Sequence, residues 1–274
     1  VSGKAVEFTD FLGRTVSLPR PPERIVSLSP ERTEILYDLR VGDNVVGVTE
    51  FCTHPPEAAT KTKVGQYTAD SFSLETIASL KPDLVVTSGP VHRPVIEGLE
   101  QLGIKTAAFD AEKLEDIYKH IEQLGEITDR RPRARQVTDT MKQRLARVAD
   151  RFRTRGRPTV FYIVSDSPLI TVGSKSFISG AIEAAGGKNV FADLDAHYPQ
   201  VSIEELLKRN PDVVFYPSLG HDGKTTPPAL PPGLEAVKAK RVHGVNADKI
   251  SRAGPRIVEA VEEMANVLHP FQRR

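Results

Sequence analysis

Cys52 and His54 stand two positions apart in the run FCTHPP. A thiol beside an imidazole is the smallest kit for nucleophilic catalysis, but it works only when the base reaches the sulfur within hydrogen-bond distance. Two residues of Pro-rich loop fix no such geometry, so the expectation is a plain loop thiol. Other catalytic patterns are absent from the sequence: there is no G-x-S-x-G, no H-E-x-x-H and no G-x-G-x-x-G. Gly42 and Gly47 have phosphate-loop spacing, yet Val48 and Thr49 follow where a lysine and a hydroxyl residue must hold phosphate and magnesium. The seven histidines, at 54, 92, 120, 197, 221, 243 and 269, include no i, i+4 pair that would present two imidazoles to one metal. A metal site built from His54, His92 and His197 has no spacing in its favour, and none is expected.

The carboxylates that do stand out belong to a repeat. SLETIASLKPDLVV begins at Ser73 and SIEELLKRNPDVVF at Ser202, so Ser73 and Ser202, Glu75 and Glu204, Pro82 and Pro211, and Asp83 and Asp212 are matched pairs, each offset by 129 positions. A weaker echo joins VGDNVVG at 41 to GGKNVFA at 186. The chain therefore reads as two versions of one unit. In both copies the serine falls at a helix N-cap and the glutamate at the second helical position, and Ser202 with Glu205 spells a capping box. A carboxylate there opposes the positive end of the helix dipole, worth roughly 0.3–1 kcal/mol. That accounts for an acidic residue but not for a glutamate in both copies.

These residues need elements to position them. Two short extended runs, 6–9 and 15–18, flank a turn carrying Asp10 and Gly13. RIVSLSP, NVVGV, DLVVT and KTAAF read as buried strands, with helical patterns at 34–39, within SLETIASL and at 93–102 between them. The alternation resumes with TVFYIV at 159, passes through DVVFY and ends in a helix from about 254 to 268. Strands alternating with helices imply parallel sheets covered on both faces. Between the two regions Val137, Met141, Leu145, Val148 and Phe152 share one face of a helix spanning roughly 131–153, a stiff strut joining two lobes. Its Arg144, Arg147, Arg151 and Arg155 stripe lacks the interleaved aromatics and basic domain of a nucleic-acid reader and reads as a solvated face.

Composition narrows the function classes further. At 274 residues and 39% apolar the chain is long enough for about two domains. With 37 basic and 36 acidic residues it has no global charge to attract nucleic acid or an anionic membrane. The longest apolar run, Val160 to Val164, is far short of the ~18 residues of a spanning helix, so a soluble chain is expected. One cysteine cannot form an internal disulfide, and no signal segment opens the sequence, which leaves the compartment open. There is no tryptophan, and aromatics are only 6%.

In parallel sheets ligands bind at the loops that follow the carboxyl ends of strands. Here those loops offer Phe51 to Pro56, Tyr67, Ser88 to Arg93, Val164 to Ser167, His197 to Pro199 and Asp248 to Arg252. Aromatic faces with an aspartate, an arginine and small polar groups suit a large flat or amide-rimmed ligand but supply no clustered acid, base and nucleophile. Each ring taken alone fits packing within its own lobe better.

The segments PERIVSLSPERTEILYDL, VGVTEFCTHPPEA, KVG, LETIASLKPDLVV, GGKNVFAD, YPQVSIEELLKRNPDVV and SRAGPRIVEAVEEMANVLHP together resemble the substrate-binding proteins of type II ABC importers, the cobalamin, haem and iron-siderophore class. The resemblance runs the length of the chain; PPEA, YPQVS and SRAGPR are most similar to the cobalamin binders. It implies the class III periplasmic-binding-protein fold, an α/β architecture of two Rossmann-like lobes, 1–128 and 157–274, joined by a single helix within 129–156. It implies capture of cobalamin in an interlobe cleft, no catalysis, no cofactor of the protein's own, an extracytoplasmic and sometimes lipid-anchored monomer, and delivery to an ABC permease dimer. By resemblance, Glu75 and Glu204 dock onto permease arginines, while Phe51, Tyr67, Ser88, Tyr198, Asp248 and Arg252 contact the ligand. Where cobalamin binders commonly carry tryptophan this chain has Tyr67, Ser88 and Tyr198, and Leu39 and Arg40 replace a glycine-containing turn. Haem, with an axial ligand from Tyr67, Tyr198, His54 or His92, or a ferric siderophore held by Arg93 and Arg252, is the alternative cargo. A two-lobed chelatase-like enzyme is the rival from another class.

Overall fold

The computed structural model describes residues 5–218 and 227–270. Internal contacts divide the chain into two units, Val1–Asp110 with Asp116–Asp139, and Ala111–Glu115 with Thr140–Arg274. The first unit opens with an antiparallel hairpin, β1 (Val6–Thr9) and β2 (Thr15–Leu18). Asp10 in its turn accepts the backbone N–H of Ala108 at 3.0 Å and so ties the hairpin to the sheet. The alternation then runs β3 (Ile25–Ser27), α1 (Pro30–Asp38), β4 (Val45–Val48), β5 (Thr62–Lys63), α2 (Leu74–Ser79), β6 (Leu84–Ser88), α3 (Arg93–Gln101), β7 (Thr106–Phe109) and α4 (Leu114–Ile127). The five strands β3 to β7 are parallel in the order β5-β4-β3-β6-β7. Ile25, Val26, Leu84, Val85 and Val86 in the central strands are fully buried, the continuous apolar run that a sheet covered on both faces demands. Strand order reverses between β3 and β6, so the crevice at their carboxyl ends is this unit's natural ligand position.

Helix α5 (Arg131–Phe152) passes from the first unit to the second, its contacts dividing between Asp139 and Thr140. The second unit continues with β8 (Thr159–Tyr162), a small antiparallel pair β9 (Ser165–Asp166) and β10 (Leu169–Ile170), α6 (Phe177–Ala184), β11 (Lys188–Asn189), α7 (Ile203–Arg209), β12 (Val213–Ser218), α8 (Glu235–Lys238), β13 (Val242–Asn246), α9 (Ala247–Ile250) and α10 (Ile257–Leu268). Its parallel sheet has the order β11-β8-β12-β13, reversing between β8 and β12. Phe161, Phe191, Leu206, Val214 and Leu234 form its apolar centre. Among the described residues no helix is long and apolar enough to cross a membrane.

The repeat is a repeat of structure. Ser73 and Ser202 cap α2 and α7 by accepting the N–H of Thr76 and Glu205, at 3.1 and 3.0 Å. Both helices are followed by a residue in the left-handed region, Lys81 at φ 47° and Asn210 at φ 41°, then by a proline that cannot extend the helix. Asp83 then accepts the N–H groups of Glu23 and Arg24, at 2.8 and 2.9 Å, and holds the start of β3. Asp212 does the same for β8 through the Thr159 N–H and hydroxyl, both at 2.7 Å. The expected capping box is only half made: the Glu205 carboxylate does not return to Ser202 but takes the Arg209 guanidinium at 2.8 Å.

One more expectation changes in part. The Arg144 to Arg155 stripe is only partly a solvated face: Arg147 of α5 and Arg155 beyond its end are exposed, but the other arginines reach into the second unit. Arg144 grips Glu262 of α10 with two bonds of 2.9 and 2.7 Å, Arg151 donates to Asn266 and to the His269 carbonyl, and Arg155 reaches the Pro270 carbonyl. Arg40 adopts φ 60°, so a β-carbon sits in a conformation that favours glycine.

Candidate functional site

Three of the six expected ligand contacts lie at the carboxyl end of the first unit's sheet. Phe51 follows β4 and is 49% exposed, held by its own N–H on the Thr49 hydroxyl at 3.2 Å. Directly after it the chain turns inward: Cys52 is fully buried, its sulfur 3.1 Å from the Thr33 hydroxyl and 3.2 Å from that of Thr49. Burial pushes the thiol pKa up, against the pull of those hydroxyls. A buried neutral thiol among threonines, with His54 on the surface, is no nucleophile pair.

Tyr67 lies in the loop between β5 and α2 and is 50% exposed. This loop begins at Gly65, whose φ of 148° favours glycine and whose β-carbon, if present, would lie 2.6 Å from the Ser71 carbonyl. Ser88 ends β6 and donates its hydroxyl to Glu31, in the first turn of α1, at 3.0 Å. That bond crosses from β6 to the element following β3, at the strand-order reversal. His92 joins the two positions: its Nδ1 accepts the Ser88 N–H at 3.1 Å and its Nε2 donates to the Tyr67 carbonyl at 2.9 Å.

The second unit supplies Tyr198, Asp248 and Arg252. Tyr198 is 48% exposed and stands edge-on to His197, which lies 3.5 Å from Glu112. Tyr162 is buried at the end of β8, near Ser251 and Tyr198, and burial drives its phenol well above the ordinary range. Asp248 lies in the first turn of α9, whose N-cap Asn246 accepts the Lys249 N–H at 3.2 Å. Arg252 pairs with Asp248 at 2.8 Å; the guanidinium is largely covered while the carboxylate is half exposed. The pairing fixes a donor and an acceptor side by side.

Each ring packs only in part within its own lobe: Tyr67 stands against His92 and Tyr198 against His197, and about half of each ring remains exposed. Phe51, Tyr67 and Tyr198 are three of the four large exposed aromatics among the described residues, the other being Phe11. Half-exposed rings on loops at the carboxyl ends of two parallel sheets are surface that a ligand can cover. Among the described residues no three His, Cys, Asp or Glu side chains are grouped to hold a metal ion. Glu75 and Glu204 are exposed, and among the described residues neither side chain makes a hydrogen bond or an ion pair.

A sequence model described as periplasmic binding protein matches residues 25–247. The chain belongs to the periplasmic binding protein family. Within that family it is 33% identical, over 268 residues and 96% of each chain, to the vitamin B12-binding protein of Vibrio parahaemolyticus serotype O3:K6. It is 34% identical over 277 residues to YvrC of Bacillus subtilis, an uncharacterized ABC transporter substrate-binding lipoprotein, covering 97% of this chain and 86% of that one. The crystal structure of the periplasmic vitamin B12 binding protein BtuF of Vibrio cholerae superposes with a TM-score of 0.77 at 32% identity, over 90% of this chain and 97% of that one. The α/β architecture with parallel sheets is thus that of periplasmic binding proteins. Sequence analysis missed Glu31 and offered His92 only as a metal or haem ligand, because Glu31 lies 57 residues from Ser88 and His92 lies 25 from Tyr67, so no local pattern shows them holding these contact residues in place.

Proposed function

We propose that this periplasmic binding protein captures a corrinoid of the cobalamin class outside the cytoplasm and hands it, without chemical change, to an ABC import permease. The observation that carries the reading is the exposure of Phe51, Tyr67 and Tyr198 on carboxyl-end loops. A corrin ring presents flat apolar faces to such aromatics and a rim of neutral amides to hydrogen-bonding side chains. Ser88 and the Asp248–Arg252 pair supply a hydroxyl, an acceptor and several donors without calling for a charged ligand. Each unit carries candidate contacts on its own carboxyl-end loops, the lobes being 1–128 and 157–274 with the helix within 129–156. The relatives' names, vitamin B12-binding among them, support the ligand class.

Haem fits the first unit less well. Both ring nitrogens of His92 are engaged inside the protein, which removes it from the possible axial ligands. The reading is tested by titrating the purified protein separately with cobalamin, cobinamide, haemin and a ferric hydroxamate, following heat and visible spectra. Sub-micromolar cobalamin binding without turnover is expected. Tight haemin binding with a shifted Soret band and no heat from cobalamin sinks the corrinoid assignment.

Delivery rests on Glu75 and Glu204. Ser73, Ser202, Asp83 and Asp212 all have work inside the fold, as caps and strand clamps. Only the glutamates of the repeat point to nothing within the described chain, as residues reserved for arginines on a membrane partner must. The protein acts as a monomer in this scheme.

A further inference from the structure

His92 closes a short 3-10 turn, Pro90–His92, and is fully buried. A backbone N–H can only donate and a carbonyl can only accept, so its two bonds dictate one form of the ring. Nδ1 must carry a lone pair for Ser88, and Nε2 must carry the proton for Tyr67. Phe72 and Tyr67 stand edge-on to the imidazole at 5.1 and 6.0 Å between centroids and fix its plane. The ring thus spans the Tyr67 loop and the end of β6, two segments that no strand pairing joins among the described residues.

We infer that His92 is a positioning residue for ligand capture, a neutral strap that sets the Tyr67 loop against Ser88 without itself touching the ligand. This rests on the ligand-binding reading of Tyr67 and Ser88. The aromatic face from Tyr67 and the polar contact from Ser88 are useful to one ligand only if their separation is held, and the His92 bond to the Tyr67 carbonyl holds it. Glu31 completes the arrangement by fixing the Ser88 hydroxyl as His92 fixes its N–H. Burial disfavours the charged ring, while the Tyr67 carbonyl and the Glu31 carboxylate of α1 pull the other way. Protonation would set an Nδ1–H against the Ser88 N–H and release one end of the strap.

The test uses the whole chain, ligand-free and with cobalamin. Nitrogen-15 correlation spectra should show the Nε2–H form of His92 at neutral pH, and Ser88 amide exchange should quicken at least tenfold in His92→Phe. Cobalamin affinity should fall at least tenfold in His92→Phe. His92→Asn, which keeps an acceptor near the Nδ1 position, and His92→Gln, which keeps a donor near Nε2, should each recover part of it. Leu124→Ala, a cavity in buried α4 of the same unit, should lower stability yet keep affinity within twofold. Affinity of His92→Phe within twofold of wild type, or an Nδ1–H tautomer, overturns the inference. If the wild type binds no cobalamin, the corrinoid reading is what fails, and the tautomer and exchange measurements decide the strap by themselves.

Discussion

Asp83 and Asp212 show what a single carboxylate does when the fold repeats it. Each accepts two donors at the mouth of a central strand, β3 or β8, and stands after a left-handed residue and a proline that aim it there. Asp83→Ala and Asp212→Ala should each cost about 1–2 kcal/mol in urea unfolding, and Glu75→Gln and Glu204→Gln less than about 1 kcal/mol, the size of a dipole interaction. Equal losses for all four would mean the glutamates are structural. His120 carries a different kind of energy. It is buried beside Phe109, and burial, with Arg32 nearby, lowers its pKa from 6.5 to about 2. The unfolded chain therefore binds a proton on this residue across that window and the folded chain does not. Its contribution is whole above about pH 6.5 and is lost toward pH 2, by up to ~1.4 kcal/mol per pH unit. His120→Phe should flatten the acid limb of a stability curve measured from pH 7 to 4; an unchanged limb would show the ring to be protonated in the native state.

Helix ends in this protein are closed by arginines from elsewhere in the chain. Arg24 donates to the Leu80 carbonyl at the end of α2, Arg133 to Asp38 at the end of α1, Arg157 to Glu183 in the last turn of α6, and Arg151 to His269 after α10. A cation there offsets the negative end of the helix dipole and satisfies carbonyls that have no partner within the helix. Such contacts explain what the sequence conceals. The apolar stripe of α5 was legible because its partners are set by periodicity within the helix, and Val137, Met141 and Val148 are indeed buried. The arginine stripe was only partly legible, because the Glu262 partner of Arg144 lies 118 residues away and no local pattern announces it. The half capping box failed for the same reason at shorter range, Arg209 outcompeting the Ser202 N–H for Glu205. For Arg144 and Glu262, both about one-third exposed, a double-mutant cycle with Arg144→Ala and Glu262→Ala should give a coupling near 1 kcal/mol, reduced in 0.5 M salt. Coupling within error of zero would return the stripe to the status of surface decoration.

At the scale of the whole molecule the duplication matters because it presents one glutamate from each unit in the same local setting, second residue of a capped helix followed by a left-handed turn. That setting was readable from the 129-residue offset; that the side chains have no hydrogen bond or ion pair among the described residues needed the structure. A partner with two equivalent basic pockets, such as a symmetric permease, would engage both units alike. Reversing one charge then leaves the other contact in place, whereas reversing both places lysine against arginine twice, a repulsion of several kcal/mol. Glu75→Lys and Glu204→Lys singly should slow cobalamin transfer in a reconstituted transporter, and the double substitution should abolish it. Cobalamin affinity in solution should stay within about threefold throughout, since neither residue lies on a carboxyl-end loop. Transfer that survives the double reversal removes the docking role, and a large loss of solution affinity would instead place these glutamates in the ligand-holding structure.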